Sequence, residues 1–292
     1  MRERALFALL RFLSWLPLSL CHRIGALIGT CAFWLPNPVK AVAQKNLEIC
    51  FPTLSTAQRK RLLLQSLQET GKTICEMGAM WYWPKDKILG LVQSVEGQEI
   101  AQACWEQQRG LILATPHLGS WELSGLYCSH HWPMTILYKP PRLKRTEDFI
   151  QTARGKMGAN VVPTTARGMI ALQRALKKHL AIGVLPDQEP GEGNGVFAPF
   201  FQFPAYSMTM LPRLAQKTGA PVMFVFAKRL AKGKGFCIQF VSADHAIAHA
   251  DPVTAATALN LTIQRCVELA PEQYQWGYKR FRSRPNHEPR FY

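Results

Sequence analysis

The stretch from Leu111 to Glu122, Leu-Ile-Leu-Ala-Thr-Pro-His-Leu-Gly-Ser-Trp-Glu, constrains this chain more than any other. A short apolar strand (111–115) is closed by Pro116, a turn containing Gly119 and Ser120 follows, and Leu123 to His130 then reads as a helix. A strand that passes through a tight turn into a helix is the repeating unit of α/β folds. It delivers turn side chains to the carboxyl edge of a sheet, where such proteins place their chemistry. Two groups with proton chemistry stand there, His117 and, five positions on, Glu122. A histidine takes a proton from a hydroxyl near neutral pH, and a carboxylate orients its ring and stabilises the imidazolium. On an ideal helix neighbours are three or four apart, so this pair has to span the turn. No nucleophile sits in a G-x-S-x-G elbow, so the pattern fits direct transfer, with the histidine activating an acceptor hydroxyl that attacks an activated acyl group. A lone His-x4-Glu also arises by chance, and histidines at strand ends are often structural. The remainder of the chain has to separate these readings.

Around this unit, short apolar runs alternate with helical patterns. Strands are expected at 95–97, 134–138, 160–162, 180–185, 222–227 and 236–241, and helices at 98–108, 145–157, 166–179, 207–218 and 253–269. Ser55-Thr56-Ala57-Gln58 has the form of a capping box. It opens a long helix whose apolar stripe, Leu63, Leu67, Thr70, Ile74, Met77 and Trp81, is expected to face the core. Such alternation predicts an α/β fold with a mixed, largely parallel sheet flanked by helices.

Ahead of this region lie two apolar runs, 5–20 and 24–35, interrupted by Arg11 and by His22-Arg23. Neither run reaches the about 20 apolar residues of a spanning helix. The expectation is an N-terminal helical membrane anchor over 1–35, lying in the interface with Trp15 and Trp34 at headgroup level. An ordinary core helix pair and a single spanning helix are the alternatives. Pro36-Asn37-Pro38 ends the segment, and 36–292 forms one α/β domain.

The chain carries 35 Lys and Arg against 19 Asp and Glu, a formal charge of +16. Such a surface expects an anionic partner. The cations gather at 139–156 and in the tail, and no zinc-ligand spacing, basic heptad or RNA-binding signature points to nucleic acid. Eight cysteines are scattered without a C-x-x-C pair, as expected for reduced, mostly buried thiols. No metal site is expected.

Five blocks occur in order: His117 to Glu122; Tyr138-Lys139-Pro140; Asp187-Gln188-Glu189; Val196 to Phe201; and Pro271-Glu272-Gln273-Tyr274-Gln275-Trp276 followed by Lys279 to Pro285. Together they resemble the bacterial late acyltransferases of lipid A biosynthesis, within the lysophospholipid acyltransferase superfamily. The departures are Lys139, where arginine is usual, and Gly277-Tyr278, where a Leu/Met-His pair is common. The resemblance implies an enzyme at the cytoplasmic face of the bacterial inner membrane. It would take an acyl group from acyl carrier protein, or from coenzyme A, and place it on a hydroxyl of a lipid A precursor, with no cofactor and with membrane phospholipid around it. In that reading His117 is the general base and Glu122 orients it. Backbone N–H groups near the helix start hold the oxyanion. Lys139, Arg142 and Arg154 bind phosphate or the phosphopantetheine arm, and Asp187 and Gln188 fix the acceptor or brace the site. Phe197, Phe200, Phe201, Phe203 and Met208 are candidates for an acyl tunnel. Two other readings stay open: an acyltransferase for another membrane lipid (glycerol phosphate, ornithine lipid or glycolipid), and a non-catalytic basic protein that binds membrane or nucleic acid.

Overall fold

The computed structural model describes residues 2–140 and 144–292. Four helices come first: α1 (Arg2–Trp15), α2 (Leu18–Trp34), α3 (Pro38–Cys50) and α4 (Thr56–Tyr82). After the short α5 (Lys85–Leu89) come β1 (Val92–Glu96), α6 (Gln98–Glu106), β2 (Leu111–Ala114), α7 (Trp121–His131), β3 (Met134–Tyr138), α8 (Lys144–Gly155), β4 (Asn160–Pro163), α9 (Ala166–Lys177) and β5 (Ala181–Val184). A hairpin of β6 (Gly195–Phe200) and β7 (Phe203–Met208) precedes α10 (Met210–Thr218), β8 (Val222–Arg229), β9 (Phe236–Ser242) and α11 (Pro252–Leu269).

Seven strands form one sheet in the order β1-β9-β8-β2-β5-β3-β4, parallel throughout except between β8 and β9. The mixed, largely parallel sheet read from the alternation is present. Its central strands are apolar on both faces because helices cover both. Ile112, Ala114, Ile182, Val184, Phe224 and Phe226 enter one core, while Leu111, Leu113, Ala181, Met223, Val225 and Ala227 enter the other. Alternate residues of a strand point to opposite faces, so each strand supplies both layers.

Two expectations need correction. Residues 203–208 are strand, paired antiparallel with β6, so the helix expected from Ser207 starts only at Met210. On α4 the capping box forms as read, and Leu63 and Leu67 of the expected stripe are buried, but farther along the helix the buried face departs from it. Ile74 is exposed, whereas Glu69, Thr73 and Glu76 are buried. The cause is tertiary, because α4 packs closely against α1 and α2. A β-carbon on Gly25 would lie 2.5 Å from the Lys72 nitrogen, one on Gly29 2.2 Å from the Leu67 oxygen, and one on Gly78 2.4 Å from the Leu10 oxygen. Only glycine permits this approach.

Among the described residues, no single helix is long and apolar enough to cross a membrane. α2 and α3 pass that test only as a pair, bent by 81°. The outer sides of α1 and α2 nevertheless expose Leu9, Phe12, Trp15, Leu27, Ile28 and Trp34.

Candidate active site

Strand register builds the centre of the site. β2 and β5 are parallel neighbours with Ala114 opposite Val184, and the Thr115 N–H continues the ladder to the Val184 carbonyl at 2.9 Å. Three residues beyond each of these partners stand His117 and Asp187. The Asp187 carboxylate accepts twice from that one residue: Oδ2 from the His117 backbone N–H at 2.8 Å, and Oδ1 from ring Nδ1 at 2.7 Å. Burial alone would raise the Asp187 carboxyl. The His117 ring and these hydrogen bonds outweigh it and hold the group below its ordinary range. A carboxylate partner on Nδ1 places the ring proton there and leaves Nε2 as the basic nitrogen. Nε2 meets the Gln188 amide nitrogen at 3.3 Å, a weak contact that an acceptor hydroxyl can replace. Gln188 in turn donates to Gln275 Oε1 at 3.1 Å, and the Gln275 N–H returns to the His117 carbonyl at 3.0 Å.

The turn after His117 is held from both sides. Gly119 has φ +60°, and a β-carbon there would lie 2.1 Å from the Ala227 carbonyl oxygen at the end of β8. Its N–H donates to the Gln273 carbonyl and that of Ser120 to the Ala227 carbonyl. These two donors are therefore occupied, and the oxyanion donors expected near the helix start are not among them. Ser120 makes no side-chain cap on α7, and Trp121 stacks obliquely on His117 with ring centroids 5.2 Å apart.

Glu122 is corrected in its partner. It makes no hydrogen bond to His117; instead Arg154 of α8 grips both its oxygens, through Nε at 3.0 Å and through Nη2, and Trp81 Nε1 donates at 3.2 Å. Burial raises Glu122, but Arg154 outweighs it and holds the carboxyl low. This ion pair borders a small apolar cavity of about 50 Å³, lined by Trp121, Leu126, Met134, Ile136 and Gly183 among others. The phenylalanines proposed for a tunnel lie elsewhere, on the β6–β7 hairpin, with Phe200 and Phe201 in the core against the C-terminal segment. Lys139 is exposed at the end of β3, on the same carboxyl edge. Arg142 lies outside the described residues.

The model of the bacterial lipid A biosynthesis acyltransferases matches residues 4–283. The chain belongs to that family. It is similar to the lipid A biosynthesis palmitoleoyltransferase of Escherichia coli (30% identity, covering 95% of this chain and 91% of the relative) and to the lauroyltransferase of the same organism (28%, covering 95% and 90%). A lipid A biosynthesis acyltransferase of Haemophilus influenzae is 26% identical over 96% of the chain and 89% of its own length.

In this member of the lipid A acyltransferase family, sequence reasoning missed one buried centre beside the site. Arg229, at the end of β8, is 5% exposed and donates to Glu76 (Nε at 2.8 Å, Nη2 at 2.6 Å), to Glu69 at 3.3 Å, to Thr73 at 2.5 Å and to the Gly119 carbonyl at 2.9 Å. His22 of α2 completes it with 2.9 Å to Glu76. A lone arginine ending a run of apolar strand residues was its only sequence signal. The basic tail is in part a folded element: Arg280 is buried and donates to the Tyr206 carbonyl and Ser207 Oγ, while Trp276 and Phe281 enter the core. Tyr278, at the departure from the family pattern, accepts the Glu189 N–H at 2.9 Å.

Proposed function

We propose that the chain moves a fatty acyl group from an acyl carrier protein thioester, with coenzyme A as the alternative donor, to a hydroxyl of a lipid A precursor. His117 Nε2 takes the hydroxyl proton as the oxygen attacks the thioester carbonyl. The tetrahedral intermediate then expels the thiolate, which recovers the proton from His117. Asp187 keeps the ring proton on Nδ1 and stabilises the imidazolium, the part first given to Glu122. The observation that carries this reading is the pair of hydrogen bonds that His117 donates to Asp187, which leaves only a weak, replaceable contact at Nε2.

Glu122 and Arg154 form the polar mouth of the apolar cavity, and the first turn of α7, uncapped by Ser120, lies where partial positive charge favours an oxyanion. At about 50 Å³ the cavity has room for only a few waters, so an acyl chain must push aside Met134 and Ile136. Both already close over Gly183, where a β-carbon would lie 2.8 Å from each. Lys139 and Arg142 are assigned to anionic parts of donor or acceptor. The charge of +16 suits an acidic carrier and a phosphorylated lipid. The exposed apolar faces of α1 and α2 support attachment to the cytoplasmic face of the inner membrane.

The test is acyl transfer in detergent micelles, with carrier-protein and coenzyme A thioesters offered to a lipid A precursor and to lysophosphatidic acid. Wild type is expected to acylate the precursor, and folded His117→Ala to lose about 10²–10⁴ in rate. Near-normal turnover by that variant would remove the general base, and preference for lysophosphatidic acid would overturn the acceptor.

A further inference from the structure

Where α2 gives way to α3, a groove of about 440 Å³ opens between α2, α3 and the start of α4, away from His117. Its wall is apolar, made by Phe33, Leu47 and Leu63, and its rim carries Lys40, Arg59 and Lys60. Lys40 Nζ lies 5.2 Å and Lys60 Nζ 6.0 Å from the centroid of the same Phe33 ring, so ammonium groups from two different helices meet one aromatic side chain. Arg59 is held beside them by the carbonyls of Phe51 and Pro52, at 3.2 and 3.1 Å. None of the ion pairs among the described residues includes Lys40, Arg59 or Lys60. Glu48 on the groove wall is engaged by Lys45 at 3.9 Å and by the Gln44 amide at 3.1 Å.

Three cations against the single carboxylate of Glu48, itself engaged by Lys45, leave the groove net positive, and an anion between the cations offsets their repulsion. The apolar wall below them selects an anion that carries a hydrocarbon chain. The surroundings say where such a molecule resides: Trp34 is 71% and Leu35 62% exposed at the rim, continuous with Leu27 and Ile28 on α2. An apolar surface of that kind edged by cations is the pattern of an element lying in a membrane interface. We infer that this groove binds an anionic phospholipid, its phosphate between Lys40, Arg59 and Lys60 and an acyl chain along Phe33, Leu47 and Leu63. The inference rests on the reading that α1 and α2 face a membrane. It adds an orienting contact, because the same α3 packs Val39 against Gly277, two residues from the Gln275 that braces His117.

The test uses the purified full chain and flotation with phosphatidylcholine vesicles, with and without phosphatidylglycerol. Lys40→Gln with Lys60→Gln is expected to weaken binding to phosphatidylglycerol vesicles roughly 10- to 30-fold, from two surface cations acting on an anionic leaflet. The charge-matched control, Lys177→Gln with Lys178→Gln at the exposed C-terminal end of α9, leaves it unchanged, and both keep wild-type binding to neutral vesicles. Equal losses in the two double variants would reduce the effect to diffuse charge and overturn the site. Wild-type binding without preference for phosphatidylglycerol would overturn the site while leaving the membrane reading intact. No flotation of wild type on either vesicle would overturn both.

Discussion

Two histidine–carboxylate pairs stand on either side of the same glycine turn, with nearly equal contact distances and opposite characters. His117 meets Asp187 at 2.7 Å, and His22 meets Glu76 at 2.9 Å. In both the carboxylate is buried. The difference lies in what else the carboxylate holds and in how far the ring is open. Glu76 is shared with the Arg229 guanidinium, and the His22 side chain is 5% exposed, so that pair is a closed link between helices. Asp187 has no lysine or arginine to hold among the described residues: it takes both a side-chain and a backbone hydrogen bond from His117 and meets the buried Tyr274 hydroxyl, and the His117 side chain is 15% exposed with a second nitrogen that meets only a displaceable amide. A histidine beside a carboxylate becomes a candidate base when its far nitrogen is left available, and the pairing alone does not make it one.

Substitution can break or sharpen this contrast. The largest effect is expected from Asp187→Asn. With the tautomer no longer enforced, acyl transfer should fall by about 10²–10⁴ while the thermal unfolding midpoint moves little. A fall of under tenfold would erase the distinction between the pairs. Next comes Glu76→Gln, which leaves Arg229 buried with its main counter-charge removed. A stability loss of about 3–5 kcal/mol is expected in chemical denaturation, with turnover per folded molecule largely kept. Glu122→Gln weakens the hold on Arg154 at the cavity mouth, for a loss of about 10- to 100-fold in kcat/KM. If it instead matched Asp187→Asn in size and in pH profile, Glu122 would regain the part of His117 partner. His22→Gln should cost only about 1 kcal/mol, because Glu76 keeps Arg229, and should leave the rate unchanged.

Acid sharpens the same contrast. Burial raises Glu76, but Arg229 and His22 outweigh it and bring it from an ordinary 4.5 down to about 2. A depressed carboxyl stabilises the fold above its unfolded value and loses that contribution as pH falls through the folded value. Wild type should therefore lose stability between pH 4.5 and 2, and Glu76→Gln should show a flatter dependence over that window, read by circular dichroism melts.

Much of this was legible in the chain, wherever the signal is local. The strand, turn and helix around His117, the capping box at Ser55 and most sheet strands follow from short-range pattern. The partner of His117 was not legible, because nothing local says that β5 rather than β3 lies beside β2. Asp187 was recognised as a site residue at the right edge, but its partner depended on strand order. Glu122 misled for a related reason: the side chain that claims it, Arg154, arrives two elements later. Glu69 and Glu76 lie outside the apolar stripe read on α4, and only Arg229, brought in from β8, accounts for their burial. The β6–β7 hairpin escaped notice because its turn uses Phe201 and Gln202, with φ of 48° and 68°, where glycine or asparagine usually announces such a bend.

The threads that close the turn after β2 all come from later in the chain: Asp187, the Ala227 carbonyl, the Arg229 side chain, and Gln273 and Gln275. During synthesis, His117 leaves the ribosome long before the segment that holds its main chain, so the reactive geometry forms only when nearly the whole polypeptide is present. A chain that stops short of Gln273 lacks the carbonyl and N–H that hold the turn at His117, so a segment made late decides when the chemistry becomes possible.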